Sequence, residues 1–486
     1  MASPINPTTH EAVHSAVANV TTAFQDLAAE LDATGTSVAV KSIHEAAPLL
    51  ELHTPAQLNT NGSTTIDSQT TYLGIYRLGI ISKIFAVLSL LQQKQVRWDD
   101  PIIDYVPELL QLKRETDEIS DIATVRWSDV TLGSLASHMS SIGTDHNFPV
   151  DWSRVGFPKL DDTSKPGCAG VLGLPPCNRT ELFRDFGKRH LVYAPFTNPV
   201  YSNVASVILG FALEAITNMT YDSYVRQSIF APLNMTHNHN LPCRAGGFYS
   251  NTVDLLSFGV GILKYTVLDG AKTRKWMKPA SSTSSSGLLI GGLWETPRSS
   301  AVTKDKRLVE FYCKAGNLNT YNNILCLIPD YDLVITILSG GSQSNADLVD
   351  LILTKIVQGL LPAIEDAGKA EAKLKFGSSY ADATSNPTIT ILLDDAPGFA
   401  VSDWVIHDVD VIKNYGSFAT LSSSPKDQVV SVRLYPTNLG SECHTAWRAV
   451  FDVGSPEDIA TKEANSFWPD ASCHTWGSMD RLTYGF

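Results

Sequence analysis

Three short segments of this chain contain lysine and tyrosine side chains that could transfer protons. These residues are Lys83, Tyr201 and Lys314. A lysine held against a tyrosine forms an acid–base pair, because the amine and the phenol can pass a proton to and from a substrate. The residue one helical turn before Lys83 is Ile80, whose side chain is branched and apolar and offers no nucleophile. The residue types therefore indicate proton transfer.

Two helices and one strand must position these residues. The apolar patterns predict helices over Ile84–Leu91 and Val204–Ile216 and a strand around Cys313–Asn317. Near the start of the chain, the pattern predicts a helix capped near Thr8 and strands over Ser37–Ile43 and Leu49–His53.

The three segments resemble, in order, the three motifs of the serine β-lactamase and penicillin-binding protein superfamily. Those motifs are Ser-x-x-Lys, Tyr-x-Asn and Lys-(Thr/Ser)-Gly. Ile80 stands where the superfamily has its serine nucleophile, and Ala315 replaces the hydroxyl residue. Other segments that match the superfamily are Val96–Ile102, Tyr105–Leu109, Leu132–Ile142 and Gly246–Gly259. As a whole, the chain resembles fungal secreted β-lactamase-like proteins that carry a C-terminal β domain.

The resemblance implies an α/β (α+β) fold, in which helices flank the antiparallel sheet of the β-lactamase/transpeptidase class. We expect this domain to occupy residues 1–373 and to close with a helix over Ala346–Leu361. The alternating pattern after it predicts a smaller all-β domain over residues 374–486. The predicted strands of this second domain are Thr388–Leu393, Phe399–Trp404, Val429–Leu434, Trp447–Val453 and Trp476–Tyr484.

The resemblance also implies roles for individual residues. Tyr201 would act as general base or proton shuttle, and the amide of Asn203 would hold the substrate and Lys83. The backbone N–H groups of Ile80 and Asn317 would form an oxyanion hole, which survives the loss of the serine because it needs no side chain.

One wall of the predicted pocket would come from the third motif. Lys314 would supply positive charge, and Gly316 would permit close approach of the substrate. Ala315 would line the same wall without a hydroxyl group. Trp294, in the segment Leu293–Glu295, is predicted to lie on an edge strand near the pocket mouth and to contact the substrate.

These residues predict a repurposed enzyme. Without the serine, acyl-enzyme chemistry is disfavoured, since removing such a nucleophile costs on the order of 10⁶ in kcat. The remaining groups suit isomerisation, cyclisation or elimination on a small apolar carbonyl compound, as in secondary metabolism, and no cofactor is expected.

Two alternatives remain open. The chain could be a non-catalytic binder of small molecules, in which Lys83 and Tyr201 form a satisfied buried pair. It could also be an esterase or acyltransferase, if Ile80 is an introduced substitution or if Ser82 acts as the nucleophile.

Composition excludes several classes of partner. The formal net charge is −13, which disfavours a nucleic-acid partner, and no apolar run approaches the roughly 20 residues of a membrane span. His138 has no His or Cys at metal-ligand spacing and is interpreted as a hydrogen-bonded core residue, so no metal site is expected. A small-molecule substrate is the expected partner, and the oligomeric state is left open.

The seven cysteines bear on the compartment. Cys168 and Cys177 bracket a short loop, and Cys313 and Cys326 flank a predicted hairpin, a usage that suits an oxidising environment. Cys443 and Cys473 lie in one C-terminal segment, which leaves Cys243 over. No signal peptide is visible, so the chain is expected to be a mature secreted protein, with a cytosolic location as the alternative. Possible glycosylation sites are Asn19, Asn61, Asn178, Asn218 and Asn234.

Overall fold

The computed structural model describes residues 3–56, 74–112, 126–144, 177–186, 191–240, 247–382, 386–414, 430–440 and 445–453, with a few single residues beside them. The chain forms two compact units. The larger comprises Val17–Ser299 and Leu308–Val357, and the smaller comprises Met1–Ala16, Ser300–Arg307 and Gln358–Phe486. A domain boundary at residue 374 stays a prediction.

The helices within the described residues range from one turn to eight. They are α1 (Glu11–Ala28), α2 (Lys83–Leu91), α3 (Leu132–Ala136), α4 (Arg179–Phe186), α5 (Asn203–Thr217), α6 (Tyr221–Val225), α7 (Thr252–Leu263), α8 (Gly270–Met277) and α9 (Ala346–Phe376). A 3₁₀ turn, Gly79–Ser82, leads directly into α2.

Strands of the larger unit form two antiparallel sheets. They are β1 (Thr34–Ser42), β2 (Leu50–Thr54), β3 (Tyr76–Arg77), β4 (His239–Asn240), β5 (Phe248–Ser250), β6 (Ser281–Ser282), β7 (Leu288–Gly291), β8 (Trp294–Ser299), β9 (Val309–Glu310), β10 (Tyr312–Ala315), β11 (Tyr321–Ile328) and β12 (Leu333–Gly341). The main sheet has the order β2-β1-β12-β11-β10-β8-β7-β6, with β9 paired to β8, and the small sheet has the order β3-β5-β4.

A third antiparallel sheet belongs to the smaller unit. Its strands are β13 (Ser379–Ala381), β14 (Thr388–Leu392), β15 (Phe399–Ile406), β16 (Val409–Asp410), β17 (Val430–Gly440) and β18 (Thr445–Val453). Their order is β13-β14-β15-β17-β18, with β16 paired to β15. Four of the five strands predicted for this region are present. The fifth, Trp476–Tyr484, lies outside the described residues.

Helices packed on an antiparallel sheet, with a β-rich C-terminal region, confirm the predicted fold class. Helix α2 shows how the larger unit is held together. It is apolar on every side after Lys83 and is correspondingly buried on every side from Lys83 to Leu90. Within it, the Phe85 ring lies 4.7–5.4 Å, between centroids, from the rings of Phe230, Phe248 and Phe258.

Two sequence predictions about elements are wrong. Strand β8 is not an edge strand, because the Ser-rich stretch before it contains β6 and leads into β7, which pairs with β8. Helix α9 does not end before Pro362 but continues to Phe376. The residues after Pro362 are mostly good helix formers, and the ion pair Glu365–Lys369 adds a contact one turn apart at 3.4 Å.

No single helix in the described ranges is long and apolar enough to cross a membrane. The helices Asn203–Thr217 and Tyr221–Phe230 reach the length and hydropathy of a membrane span only when taken together, and the angle between them is 76°.

The aromatic cluster around Phe85 predicts a large effect on stability. Because Phe85 is fully buried among three rings, we expect Phe85→Ala to lower the free energy of unfolding by about 3–5 kcal/mol, measured by chemical denaturation. Leu110, which is 63% exposed, provides the control, and Leu110→Ala should change stability by less than about 0.5 kcal/mol. Equal effects of the two substitutions would contradict the central role of α2.

Candidate active site

The 3₁₀ turn before α2 places Ile80 directly over Lys83. The backbone N–H of Lys83 donates to the carbonyl of Ile80, and residues three apart in a 3₁₀ turn eclipse one another. Within residues 78–90, Ile80 alone is partly exposed and every other residue is buried. A branched apolar side chain therefore occupies the only surface position on this stretch.

Lys83 and Tyr201 are in direct contact. The Lys83 side chain is fully buried, and its Nζ donates to the Tyr201 hydroxyl at 2.8 Å and to the Ser202 carbonyl at 3.2 Å. The Tyr201 hydroxyl in turn donates to Oδ1 of Asn203 at 3.3 Å. The structure thus joins three of the predicted site residues in one hydrogen-bonded chain.

The N-terminus of α5 fixes this chain in place. Ser202 is the N-cap, and its hydroxyl accepts from the Ala205 N–H at 3.0 Å and donates to the Gly143 carbonyl at 3.0 Å. The Asn203 N–H donates to the Thr144 carbonyl at 2.7 Å. The two residues after Tyr201 are therefore hydrogen-bonded to the segment that follows α3, and these bonds fix the backbone that carries the phenol.

His138, in the segment that follows α3, contacts both Tyr201 and the residue after it. Its Nδ1 accepts from the Ser202 N–H at 3.2 Å, and its ring centroid lies 4.8 Å from that of Tyr201. Burial, followed by the charges of Lys83 and Lys314, holds the pKa of His138 well below its usual value. The ring is therefore neutral near pH 7, in agreement with its interpretation as a hydrogen-bonded core residue.

Lys314 approaches the same phenol from strand β10. Its Nζ is 5.8 Å from the centre of the Tyr201 ring, compared with 4.0 Å for Nζ of Lys83. Lys314 is buried, and its ammonium forms a salt bridge with Glu295 on β8. The other carboxylate oxygen of Glu295 accepts from the Ala315 N–H at 3.1 Å.

Sequence reasoning did not identify Glu295. The pairing of β8 with β10 is the information that identifies Glu295, because it places Glu295 opposite Cys313, the residue before Lys314. Trp294, which was expected to contact the substrate, is instead fully buried, with its ring centroid 5.3 Å from that of Trp276. Side chains alternate between the two faces of a strand, so the residue after Trp294 points the other way. Trp294 thus belongs to the core, and a contact with the substrate stays a prediction.

Two glycines bring the start of α2 against the end of β10. A Cβ on Gly316 would lie 2.2 Å from the Leu78 carbonyl oxygen, and a Cβ on Gly79 would lie 3.1 Å from the Gly316 oxygen. Gly316 is thus required for packing against the 3₁₀ turn, and its role in admitting substrate stays a prediction. Ile80 and Asn317, whose N–H groups are predicted to form an oxyanion hole, directly follow these two glycines in sequence.

Ser82 points away from this arrangement. Its side chain is fully buried, its hydroxyl accepts from the Phe248 N–H at 3.4 Å, and its carbonyl accepts from the Tyr221 hydroxyl at 3.3 Å. These contacts count against Ser82 as a nucleophile. Within the described part of the chain, no three His, Cys, Asp or Glu side chains are placed to hold a metal ion.

Two of the suggested cysteine pairs are disulfides. Cys168–Cys177 closes a loop with a Cα–Cα distance of 5.0 Å, and Cys313–Cys326 joins β10 to β11 next to Lys314. Disulfides of this kind are typical of an oxidising compartment. The remaining cysteines, Cys243, Cys443 and Cys473, lie outside the described residues.

Helices packed on an antiparallel sheet, with the three motifs in order along the chain, are typical of a β-lactamase-like domain, and comparison with known families agrees. The Beta-lactamase family profile matches residues 76–355, and the chain belongs to that family. A second profile, described as the C-terminal domain of Beta-lactamase-like-like proteins, matches residues 368–486.

Three of the similar curated proteins come from fungi. A beta-lactamase-like protein of Arthroderma benhamiae is 27% identical over 90% of this chain and 79% of its own length. A probable hydrolase of Phoma sp. is 21% identical over 73% of this chain, and a probable hydrolase of Cochliobolus lunatus is likewise 21% identical over 73%. The alignments cover 63% and 64% of those two proteins, respectively.

Solved structures agree in fold. An octameric penicillin-binding protein homologue from Pyrococcus abyssi superposes with a TM-score of 0.51, at 14% identity, over 90% of this chain and 95% of its own. A class C beta-lactamase gives a TM-score of 0.51 at 17% identity, over 71% of this chain and 96% of its own.

Neutral His138 predicts a stability that depends on pH. Because its folded-state pKa lies below the unfolded value of about 6.5, the folded protein resists protonation that the unfolded chain accepts. Stability is therefore full above about pH 6.5 and falls as the pH drops below it. His138→Asn keeps an acceptor for Ser202 and tolerates the φ of 57°, so its melting temperature should fall less between pH 7 and pH 5.

The control is His14, which is exposed on α1. His14→Asn should leave the slope of melting temperature against pH as it is in the native protein. An unchanged slope in His138→Asn would show that His138 does not carry this dependence.

Proposed function

We propose that this β-lactamase-family protein performs non-hydrolytic acid–base chemistry on a small, mostly apolar metabolite that contains a carbonyl group. The reaction class is isomerisation, cyclisation or elimination, in secondary metabolism. The observation that carries the proposal is the 2.8 Å contact between Lys83 and Tyr201, retained although Ile80 occupies the position one turn earlier.

Proton abstraction is the first step. An ammonium beside a phenol favours loss of the phenolic proton to solvent, so Lys83 prepares Tyr201 to act as a base in its phenolate form. Tyr201 then takes a proton from the carbon next to the substrate carbonyl, and the electron pair of the broken C–H bond forms an enolate. Return of that proton to another carbon of the same molecule completes an isomerisation, and all atoms balance.

The enolate needs stabilisation where its charge develops. The N–H groups proposed for this are those of Ile80 and Asn317, each the residue after a glycine of the close contact between Gly79 and Gly316. Preorganised donors of this kind contribute about 2.7–4 kcal/mol each to a transition state in well-studied enzymes. The same backbone that suits a tetrahedral oxyanion therefore suits an enolate.

Hydrolysis is the second candidate, favoured by the description of two relatives as probable hydrolases. It would require a nucleophile in place of Ile80, and the nearest serine in sequence is Ser82. The burial of Ser82 and its hydrogen bond from Phe248 weigh against that role. A non-catalytic binder remains the alternative if no turnover is found.

A secretory location fits the proposal. The disulfides Cys168–Cys177 and Cys313–Cys326 indicate folding under oxidising conditions. We propose that the mature protein acts in the secretory pathway or outside the cell, with glycosylation of some of its five Asn-x-Ser/Thr sites.

Restoring a serine should restore acylation. We expect a serine-reactive acylating probe to leave the native protein unlabelled and to add one acyl group to Ile80→Ser, as read by intact mass. The reason is that the 3₁₀ turn places residue 80 over Lys83, whose amine contacts the Tyr201 hydroxyl, so a serine there would have the pair that activates it. Ile80→Ala provides the control, which should stay unlabelled.

Labelling of the native protein would overturn the nucleophile-free mechanism. In that case the Ser82→Ala variant would show whether Ser82 is the acylated residue. Absence of label in Ile80→Ser would show instead that the pocket is not arranged for acyl transfer.

Turnover should depend on the phenol. With polyketide-like or terpenoid-like carbonyl compounds as candidate substrates, we expect Tyr201→Phe to lower kcat by about 10²–10⁴, because the proton-transferring group is removed. Lys83→Ala should have a comparable effect. The measurement is product formation by mass spectrometry, with deuterium exchange at the carbon next to the carbonyl as a second readout.

Tyr265, which is 44% exposed, supplies the matched control, and Tyr265→Phe should leave kcat unchanged. Binding of these compounds without product or exchange would favour the binder over the enzyme. Full activity in Tyr201→Phe would remove Tyr201 from the mechanism.

A further inference from the structure

Lys314 and Lys83 are both buried lysines beside Tyr201, and a buried ammonium attracts a negatively charged substrate strongly. Lys314 is the one that forms a salt bridge with a carboxylate of the protein. The ammonium of Lys314 is already bound by groups of the protein itself. The side chain is 1% exposed, forms the salt bridge with Glu295, and also donates to the Ala315 carbonyl at 3.2 Å. An incoming anion would have to compete with a carboxylate that is already in place.

The carboxylate of Glu295 is held in one orientation by hydrogen bonds to both of its oxygens. One carboxylate oxygen binds the Lys314 ammonium, and the other accepts from the Ala315 N–H at 3.1 Å. Its backbone stands opposite Cys313, which is tied to Cys326 by the disulfide. Releasing Lys314 would therefore break two hydrogen bonds within a cross-linked part of the sheet.

Exposure decides which of the two charges a ligand meets. The Glu295 side chain is 31% exposed and that of Lys314 is 1% exposed, so the carboxylate is the accessible member of the pair. Ala315 adds no hydroxyl that could bind an anion. A cation is opposed by the Lys83 ammonium, whose Nζ lies 4.0 Å from the centre of the Tyr201 ring.

We propose that Glu295 is a specificity-determining residue that restricts this pocket to uncharged carbonyl compounds, such as ketones, esters and lactones, and excludes carboxylates. The inference rests on the proposed function of the same pocket and names its substrate class. Glu295 acts by occupying Lys314 and by presenting negative charge where a carboxylate would otherwise bind.

The test is a change in charge preference, measured as binding without turnover. Phenylacetate and its uncharged analogue phenylacetamide are titrated into the native protein and into Glu295→Gln, with binding followed by NMR. We expect Glu295→Gln to bind phenylacetate at least about tenfold more tightly than the native protein does, while phenylacetamide changes by less than about twofold. The double variant Glu295→Gln/Lys314→Met should lose the gain.

Glu11 on α1, an exposed carboxylate, gives the control for net charge, and Glu11→Gln should leave both affinities unchanged. A second variant covers instability of Glu295→Gln. In Lys314→Met the carboxylate is left without its cation, so phenethylamine should bind at least about tenfold more tightly than to the native protein.

Phenylacetate affinity that is unchanged within about twofold in Glu295→Gln, including no detectable binding to either protein, overturns the proposal, as does a gain that survives in the double variant. If Glu295→Gln does not fold, an unchanged phenethylamine affinity in Lys314→Met overturns it instead. Failure of the proton-transfer mechanism would appear separately, as turnover that is unaffected in Tyr201→Phe.

Discussion

The structure of this pocket depends on a lysine amine placed inside an apolar core. Removing an ammonium from water costs free energy of desolvation. Hydrogen bonds from Lys83 to a phenol and to a backbone carbonyl offset that cost. Each partner must itself be fixed if the amine is to remain buried. The cap of α5, the segment after α3 and the neutral ring of His138 all serve this purpose, so the second motif and its surroundings are arranged around one nitrogen atom.

The contact between two backbones is the second constraint. Gly79 adopts a φ of 56°, in the left-handed region, and the carbon of any side chain on Gly316 would collide with the Leu78 carbonyl. These requirements concern the main chain and are independent of which group residue 80 carries. The close contact of these two backbones therefore does not depend on a nucleophile at residue 80, as the proposed oxyanion hole requires.

Much of this could be predicted from the sequence, because the motifs are short and local. The position of Ile80 before Lys83 follows from helical spacing, and the C-terminal strands follow from alternation and turn residues. Glu295 could not be predicted in the same way, since its role depends on the pairing of β8 with β10. The burial of Trp294 could not be predicted for a related reason. Which face of β8 looks toward the core depends on β7 and β10, and a large aromatic residue gives no sign of its direction in the sequence.

The side chain of residue 80 has a consequence for classification. Proteins of one fold and family can catalyse different reactions, and under the proposed mechanism the reaction depends on residue 80, which fold comparison does not register. An isoleucine codon can become a serine codon by a single base change, so two kinds of chemistry can lie next to each other in evolution with no rearrangement of the chain between them. Descriptions of activity should therefore be carried between relatives only where that one residue is the same.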